Sequence, residues 1–267
     1  MVSAMHELRV LTLNIWNRSD PWEDRLALIR EGIEVLSPDL IALQEVINLG
    51  DDFDQAALIA DGFGYARTWG KSPASDLPFG NAILSRWPIA ETQVMALPKI
   101  EDEEDRSLVH AQIAAPFGTV HFFNTHLAWR LHEGHVRAAQ MKFIAKVIEG
   151  VPEHEFPPIL VGDFNAEPDA DEVRYLRGLT TLGEARGVSF LDAYSFVNSN
   201  HTGYTFSREN AFTLSAGEPS RRIDYIFVRG PDGRRRAEPT SANVCFDAQR
   251  DGVWASDHFG VFVTLRT

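Results

Sequence analysis

Short apolar runs, separated by Gly, Pro, Ser and Asn, recur along the whole chain and alternate with segments of helical periodicity. Runs of four to eight apolar residues bounded by turn residues read as buried strands. Leu8–Leu13, Leu40–Leu43, Tyr65–Trp69, Asn81–Leu84, Ala90–Leu97, Ser107–Ala115, Val120–Thr125, Ile159–Val161, Ile223–Val228 and Phe259–Leu265 fit that pattern. Asp24–Leu36 repeats Leu26, Ile29, Ile33 and Leu36 on one helical face, and Ser37-Pro38 ends it. Glu133–Ile148 repeats Val136, Ala139, Met141, Ile144 and Val147, so it too predicts a helix. Phe53–Ala60 suits a short helix, and Gly178–Ser220 is poorly patterned and predicts loops. No internal repeat or linker is visible. One domain over residues 1–267, with two sheets and helices outside them, is the natural architecture.

Polar residues sit where these apolar runs stop. Asn14 closes Val10-Leu-Thr-Leu-Asn14, and Glu45 closes Leu40-Ile-Ala-Leu-Gln-Glu45. His126 closes Val120-His-Phe-Phe-Asn-Thr-His126, and Asp163 and Asn165 close Ile159-Leu-Val-Gly-Asp-Phe-Asn165. Asp224 lies at the start of a run, and Asp257-His258 precedes another. Polar groups are costly in a core, so their repetition at strand ends predicts one shared site at one sheet edge. Carboxylates, amides and imidazoles without thiols point to a hard cation, Mg²⁺ or Mn²⁺, and a phosphate substrate.

Composition narrows the field. Hydrophobic residues make up 44% of 267, which is enough for a large core. The single cysteine, Cys245, excludes an internal disulfide and a Cys-based zinc site, and reads as a small buried hydrophobe. No apolar run is long enough to cross a bilayer. The start, Met1-Val-Ser-Ala-Met-His6, lacks a secretory pattern, so a reducing cytoplasm is the expected compartment. Lys plus Arg is 25 against 38 Asp plus Glu, a net charge of −13. Affinity for duplex nucleic acid rests on cations that neutralise phosphates, so a duplex partner is not expected. Local basic patches remain at Arg221-Arg222 and Arg234-Arg-Arg236, the second in a loop after the turn Gly230-Pro-Asp-Gly233. The acidic run Glu101-Asp-Glu-Glu-Asp105 reads as an exposed loop.

The candidate chemistry has a physical logic at each position. Asn14 and Glu45 end strands that flank one helix, so their neighbouring ends present both to one ion. In extended chain, residues i and i+2 point the same way, so Asp163 and Asn165 face one pocket while Phe164 packs behind. An Asx turn is the competing reading. A carboxylate there orients or deprotonates water, and an amide meets charge on phosphate oxygens. His258 needs a partner to fix its tautomer, and Asp224 is the candidate. His126 contacts phosphate or the leaving-group oxygen. Asn81 either reaches the site or caps a turn, and Arg106 either binds phosphate or makes a surface ion pair. Trp69, Trp129, Trp254 and Phe79 offer apolar walls if loops bring them to the cleft, whereas Trp87 reads as core. No Gly-x-Ser-x-Gly elbow supports serine-hydrolase chemistry.

Leu-Asn-Ile at Asn14, Leu-Gln-Glu-Val at Glu45, Gly-Asn-Ala-Ile-Leu-Ser at Asn81 and Asn-Thr-His-Leu at His126 occur in one order with three further motifs. These are Gly-Asp-Phe-Asn at Asp163, Arg-Ile-Asp-Tyr-Ile-Phe at Asp224 and Ser-Asp-His-Phe-Gly at His258. Together they resemble the endonuclease/exonuclease/phosphatase superfamily over nearly the whole chain. The resemblance implies a four-layer α/β sandwich with two central mixed β-sheets flanked by helices, and a divalent-metal phosphoesterase site of one or two ions. It implies Glu45 as principal metal ligand with Asn14 and Asp257 nearby, and Asp163 positioning the attacking water. It implies Asn165 and His126 on the phosphate, and His258 paired with Asp224.

The expected function is therefore a Mg²⁺- or Mn²⁺-dependent hydrolase of a small-molecule or head-group phosphoester, a diester before a monoester. The alternative is a nuclease for single-stranded or damaged nucleic acid, using the Arg221/Arg222 patch. A catalytically dead scaffold is a third class, disfavoured because no expected catalytic position is substituted. Substrate identity and oligomeric state lie beyond the pattern.

Overall fold

A computed structural model describes residues 7–100, 104–151, 156–230 and 233–267. Met1–His6, Glu101–Glu103 of the acidic run and Pro231-Asp232 of the expected turn lie outside the described residues. The strands are β1 (Glu7–Asn14), β2 (Leu40–Ile47), β3 (Ala66–Gly70), β4 (Phe79–Ser85), β5 (Ile89–Ala96) and β6 (Ser107–Ala115). They continue as β7 (Gly118–His126), β8 (Ile159–Asp163), β9 (Leu191–Asp192), β10 (Asp224–Val228), β11 (Pro239–Cys245) and β12 (Gly260–Arg266). The helices are α1 (Trp22–Leu36), α2 (Gln55–Ala60), α3 (Gly134–Glu149), α4 (Asp171–Leu176) and α5 (Ala193–Val197).

The strands form two six-stranded mixed sheets, ordered β11-β12-β1-β2-β4-β3 and β5-β6-β7-β8-β10-β9. One apolar cluster lies between the sheets. A second packs the second sheet against α3 and α4, and a third packs the first sheet against α1 and α2. The result is the four-layer sandwich that the resemblance implied. The central strands β1, β2, β7, β8 and β10 are covered on both faces, which is why they read as unbroken apolar runs rather than alternating ones. Within β1, Leu8 and Val10 face the opposite sheet, while Leu11 and Leu13 face α1.

Each sheet contains one parallel pair joined through a helix. β1 and β2 are parallel across α1, and β7 and β8 are parallel across α3. The carboxyl ends of all four strands therefore point to one edge. Antiparallel β10 and β12 start at that edge, with Asp224 opposite Asp163 and Thr12 opposite Val261. The sheets are tied together below the site by Gln44, which donates to Asn124 Oδ1 at 2.7 Å. Asn124 in turn donates to the Leu43 and Ala82 carbonyls at 2.9 and 2.8 Å. Gly162 is needed for the close approach of β8 to β7. Its φ is +140°, and a Cβ there would lie 1.9 Å from the Thr125 carbonyl oxygen.

The pattern missed elements with few apolar residues. β11 is an edge strand whose sequence, Pro-Thr-Ser-Ala-Asn-Val-Cys, buries only Pro239, Ala242 and Cys245. The stretch 178–220 holds β9, α5 and a 3-10 segment at Ala211–Ala216, besides loops that reach the site. β2 runs on to Ile47, so Glu45 lies inside a strand rather than at its end.

Candidate active site

A cavity of about 790 Å³ opens at the shared sheet edge. Glu45, Arg106, His126, Asp163, Asn165, Asp257 and His258 line it, with Phe79, Trp129 and Phe206 among its apolar walls. Pockets of this size suit one small ligand. Strand parity explains most of the placement. Asn14, His126, Asp163 and Asp224 each fall in phase with the residues of their strand that fill the space between the sheets. Each continues that layer to its open end.

Glu45 does not follow this rule. It is in phase with Ile41 and Leu43, which face the α1 side. The β2–β4 register shifts between Leu43 and Val46, and Glu45 adopts φ +61°. The bulge re-aims its carboxylate toward the cavity. A left-handed non-glycine residue costs on the order of 1–3 kcal/mol. Trp16, Asn17 and Asn165 also have positive φ (53°, 39° and 49°), so strain gathers around the cavity. Asn165 therefore faces the pocket through a left-handed turn, not through extended i, i+2 geometry. Its backbone N–H donates to Asp163 Oδ1 at 2.9 Å, so the Asx turn and the pocket coexist.

Asp163 is the hub. Its Oδ2 accepts from Asn14 Nδ2 at 3.0 Å and faces His126 Nε2 at 3.4 Å and His258 Nε2 at 3.7 Å. Burial and the nearby Asp224 charge push its carboxyl up to about 7, against the opposing pull of His258, Asn14 and Asn165. His258 Nδ1 lies 3.0 Å from Asp224 Oδ2. Burial opposes charge on His258, but Asp224, Asp163 and Asp257 outweigh it and hold the ring well above the ordinary value, as imidazolium. His126 is the reverse. Its Nδ1 lies 2.9 Å from Arg106 Nη1. A guanidinium only donates, so the His126 proton sits on Nε2. Burial, Arg106 and His258 hold His126 well below the ordinary value, hence neutral. Two imidazoles on one carboxylate are thus kept in opposite protonation states.

Glu45 accepts from Asn14 Nδ2 at 3.1 Å and from Asn17 Nδ2 at 3.0 Å. Burial pushes the Asp257 carboxyl up to about 6, with the Glu45 charge adding to the rise and His258 opposing it. Asn14 Oδ1 accepts from the Trp16 N–H at 3.0 Å, so the Asn14 amide bridges Glu45 and Asp163. Single ligand atoms of Asp163, Asp224 and His258 also lie within 4.8 Å of one another, a spacing able to hold a metal.

Asn14, Asn81 and Asp224 do not line the cavity, though Asn14 and Asp224 bond to residues that do. Asn81 is buried, its Nδ2 donating to the Ser107 carbonyl at 3.1 Å across the two sheets. Arg106 does line it, and its side chain is also paired with Glu104 at 2.6 Å. Of the two patch arginines, Arg222 is buried in a two-pronged pair with Asp192 at 3.1 and 2.8 Å, so only Arg221 reaches the cavity. Trp69 donates to the Val46 carbonyl and Trp254 packs on Phe259, leaving Trp129 and Phe79 as the expected aromatics that reach it. The sequence reading passed over Asn17 and Arg25. Arg25 is fully buried and donates only to backbone carbonyls, those of Ile15, Trp16, Asn17, Ser19 and Ala255, at 2.7–3.2 Å. It pins the loop after β1 to the one before Asp257. A charged residue on the apolar face of α1 was the available signal.

The Endonuclease/Exonuclease/phosphatase family model matches residues 11–258. The chain belongs to the endonuclease/exonuclease/phosphatase family. Members of this family are metal-dependent phosphoester hydrolases, and this chain is an enzyme of that class. Its fold is similar to that of D. rerio TDP2 complexed with single strand DNA product, at 22% identity, 98% and 99% coverage of the two chains and TM-score 0.81. It is similar to the human Nocturnin catalytic domain with bound sulfate anion, at 19% identity, 97% and 94% coverage and TM-score 0.70. It also resembles an endonuclease/exonuclease/phosphatase from Beutenbergia cavernae, at 24% identity, 97% and 71% coverage and TM-score 0.72. No curated protein sequence matches. Among the described residues, no helix of this family member is long and apolar enough to cross a membrane.

Proposed function

We propose that this protein hydrolyses a small phosphodiester by in-line attack of water, with Mg²⁺ or Mn²⁺ as cofactor. The observation that carries the proposal is the convergence of the His126 and His258 Nε2 atoms on the Asp163 carboxylate, in a cavity also lined by Glu45 and Asp257. Asp163 holds the attacking water through its carboxylate and takes up its proton. A carboxyl pushed up to about 7 is matched to that task near neutral pH. The His258 imidazolium, fixed by Asp224, and the His126 Nε2–H meet negative charge on the phosphoryl oxygens. Asn165 adds an amide donor at the same wall. Arg106 keeps His126 in the tautomer that donates there.

Glu45 and Asp257 suit a hard cation. They are two oxygen donors in one cavity, with the Glu45 charge opposing ionisation of Asp257 and no thiol in the lining. They would hold the ion, while Asn14 keeps Glu45 in line with Asp163. A divalent ion bound there would polarise the phosphoryl group and stabilise the leaving oxygen. Asp163, Asp224 and His258 are the alternative holders. Their existing hydrogen bonds favour a proton-handling role instead.

The test is a panel of bis-aryl phosphodiesters, aryl monoesters, sphingomyelin, inositol phosphates and short DNA, with added Mg²⁺ or Mn²⁺. The expected outcome is metal-dependent diester turnover that EDTA abolishes. Hydrolysis indifferent to EDTA would overturn the proposal. A second reading, cleavage of single-stranded nucleic acid, is favoured by Arg221 and Trp129 in the cavity wall. The similarity to a TDP2 complex with single strand DNA product adds to it. Tight oligonucleotide binding with a steep salt slope would select it.

A further inference from the structure

We propose that Arg221 recognises a second oxyanion on the substrate, separate from the scissile phosphate, and that Glu218 holds its place when substrate is absent. The proposal rests on the phosphodiesterase reading and narrows its substrate class to diesters carrying a second anionic group.

Arg221 and Arg222 are neighbours with opposite fates. Arg222 is fully engaged, with Asp192 and Ser195 on its nitrogens and the Tyr194 and Tyr225 rings against its guanidinium. Arg221 lines the cavity at 5% exposure, and among the described residues its one side-chain hydrogen-bond partner is the Glu218 carboxylate on Nη2. Its buried Nε–H has no acceptor. A buried guanidinium with an idle donor is costly unless something fills it. Its backbone is held rigidly, since Arg221 and Phe206 exchange backbone hydrogen bonds at 2.8 and 3.0 Å.

Position separates Arg221 from Arg106. Arg106 touches His126 directly, so it acts beside the reacting phosphate. The Arg221 guanidinium lies over the Phe206 ring at 5.5 Å, and that ring meets His258 edge-on at 5.2 Å. An anion on Arg221 is therefore one aromatic ring away from the reaction centre. A guanidinium edge, Nε–H plus Nη–H, matches the two oxygens of a carboxylate or phosphate. Glu218 also lines the cavity and sits just after Gly217, which has φ +69°. Its carboxylate supplies the same oxyanion chemistry from a loop that a substrate group can displace.

The experiment uses three aryl phosphodiesters that share a leaving group and differ in the second alcohol, which carries a carboxylate, a phosphate or a methyl ester. The readout is the ratio of kcat/KM for each charged diester to that for the neutral one. The wild type should prefer a charged diester, and the two charged arms identify which oxyanion fits. Arg221→Gln should lower that preference by about tenfold to a hundredfold, the worth of a charge-assisted hydrogen bond. Arg221→Lys should fall between them, because it keeps charge but loses the fork. Glu218→Gln should raise the preference by freeing Nη2, and it tests the same point without removing the buried cation. Equal slowing of all three diesters by Arg221→Gln would overturn the inference, as would a wild type with no preference. A wild type that hydrolyses none of them would overturn the phosphodiesterase reading itself.

Discussion

The β1-α1-β2 and β7-α3-β8 units are the same device carrying different residues at the strand ends. Each is a parallel strand pair with a crossover helix, and each has a buried arginine as the fourth residue of that helix, Arg25 and Arg137. Both arginines fasten the loop that leads into the helix. Arg137 bonds the Ala128, Arg130 and Leu131 carbonyls, as Arg25 bonds those of residues 15–17 and 19. They differ in how their charge is met. Arg137 has Glu172 at 2.7 Å. Among the described residues Arg25 has no carboxylate within ion-pair distance; burial lowers it to about 10, against the pull of Asp257, Glu45 and Asp20. The first unit thus presents the Glu45 carboxylate to the cavity, held by the Asn14 amide, near a cation that no carboxylate pairs. The second presents a carboxylate whose neighbours are imidazoles. What differs is the residue at each strand end, not the scaffold.

Four measurements break or sharpen that contrast. The largest effect belongs to the second unit. Asp163→Asn and His258→Ala should each lower kcat by roughly a thousandfold or more, with circular dichroism unchanged. Near-normal turnover in either variant would remove the proton-handling half of the comparison. Next, Arg25→Lys and Arg137→Lys should both destabilise the fold by roughly 2–4 kcal/mol in urea unfolding, since each loses a buried fork. Only Arg25→Lys should also weaken Mn²⁺ binding followed by titration calorimetry. Equal metal affinities in the two variants would erase the distinction between the units. Third, Glu45→Gln should raise the metal concentration for half-maximal activity by about tenfold to a hundredfold. An unchanged requirement would remove Glu45 as a ligand.

The smallest effect lies at the start of α3. Burial pushes the Glu133 carboxyl up, but hydrogen bonds from Arg130 at 2.6 and 3.2 Å outweigh it and hold Glu133 below its ordinary value. The stabilisation is complete above the unfolded value of about 4.3 and is lost as pH falls through the lower folded one. The Tm gap between wild type and Glu133→Gln should therefore close on acidification below about pH 4. A gap that persists there would show that the pair contributes through packing alone.

The apolar runs of β1, β7, β8 and β10 were readable because both faces of each strand are covered, and their last inward position carries a polar group. Period-two counting from Leu8, Val120, Ile159 or Val228 reaches Asn14, His126, Asp163 or Asp224. The gathering of these groups at one edge was readable for the same reason. β11 was not, because an edge strand needs little apolar surface. Arg222 was not separable from Arg221, because only the tertiary placement of Asp192 distinguishes them.

By itself, the amino-acid order determined the strand periodicity, the residue types at the strand ends and hence the family and its class of chemistry. These are local properties, set by side-chain alternation and burial. Only the three-dimensional arrangement decided where Glu45 and Asn165 point, since a register shift and left-handed φ values override their strand phase. It also decided the opposite pull on the pKa values of His126 and His258, because that depends on burial and on Arg106, Asp163, Asp224 and Asp257, which are far apart in the chain.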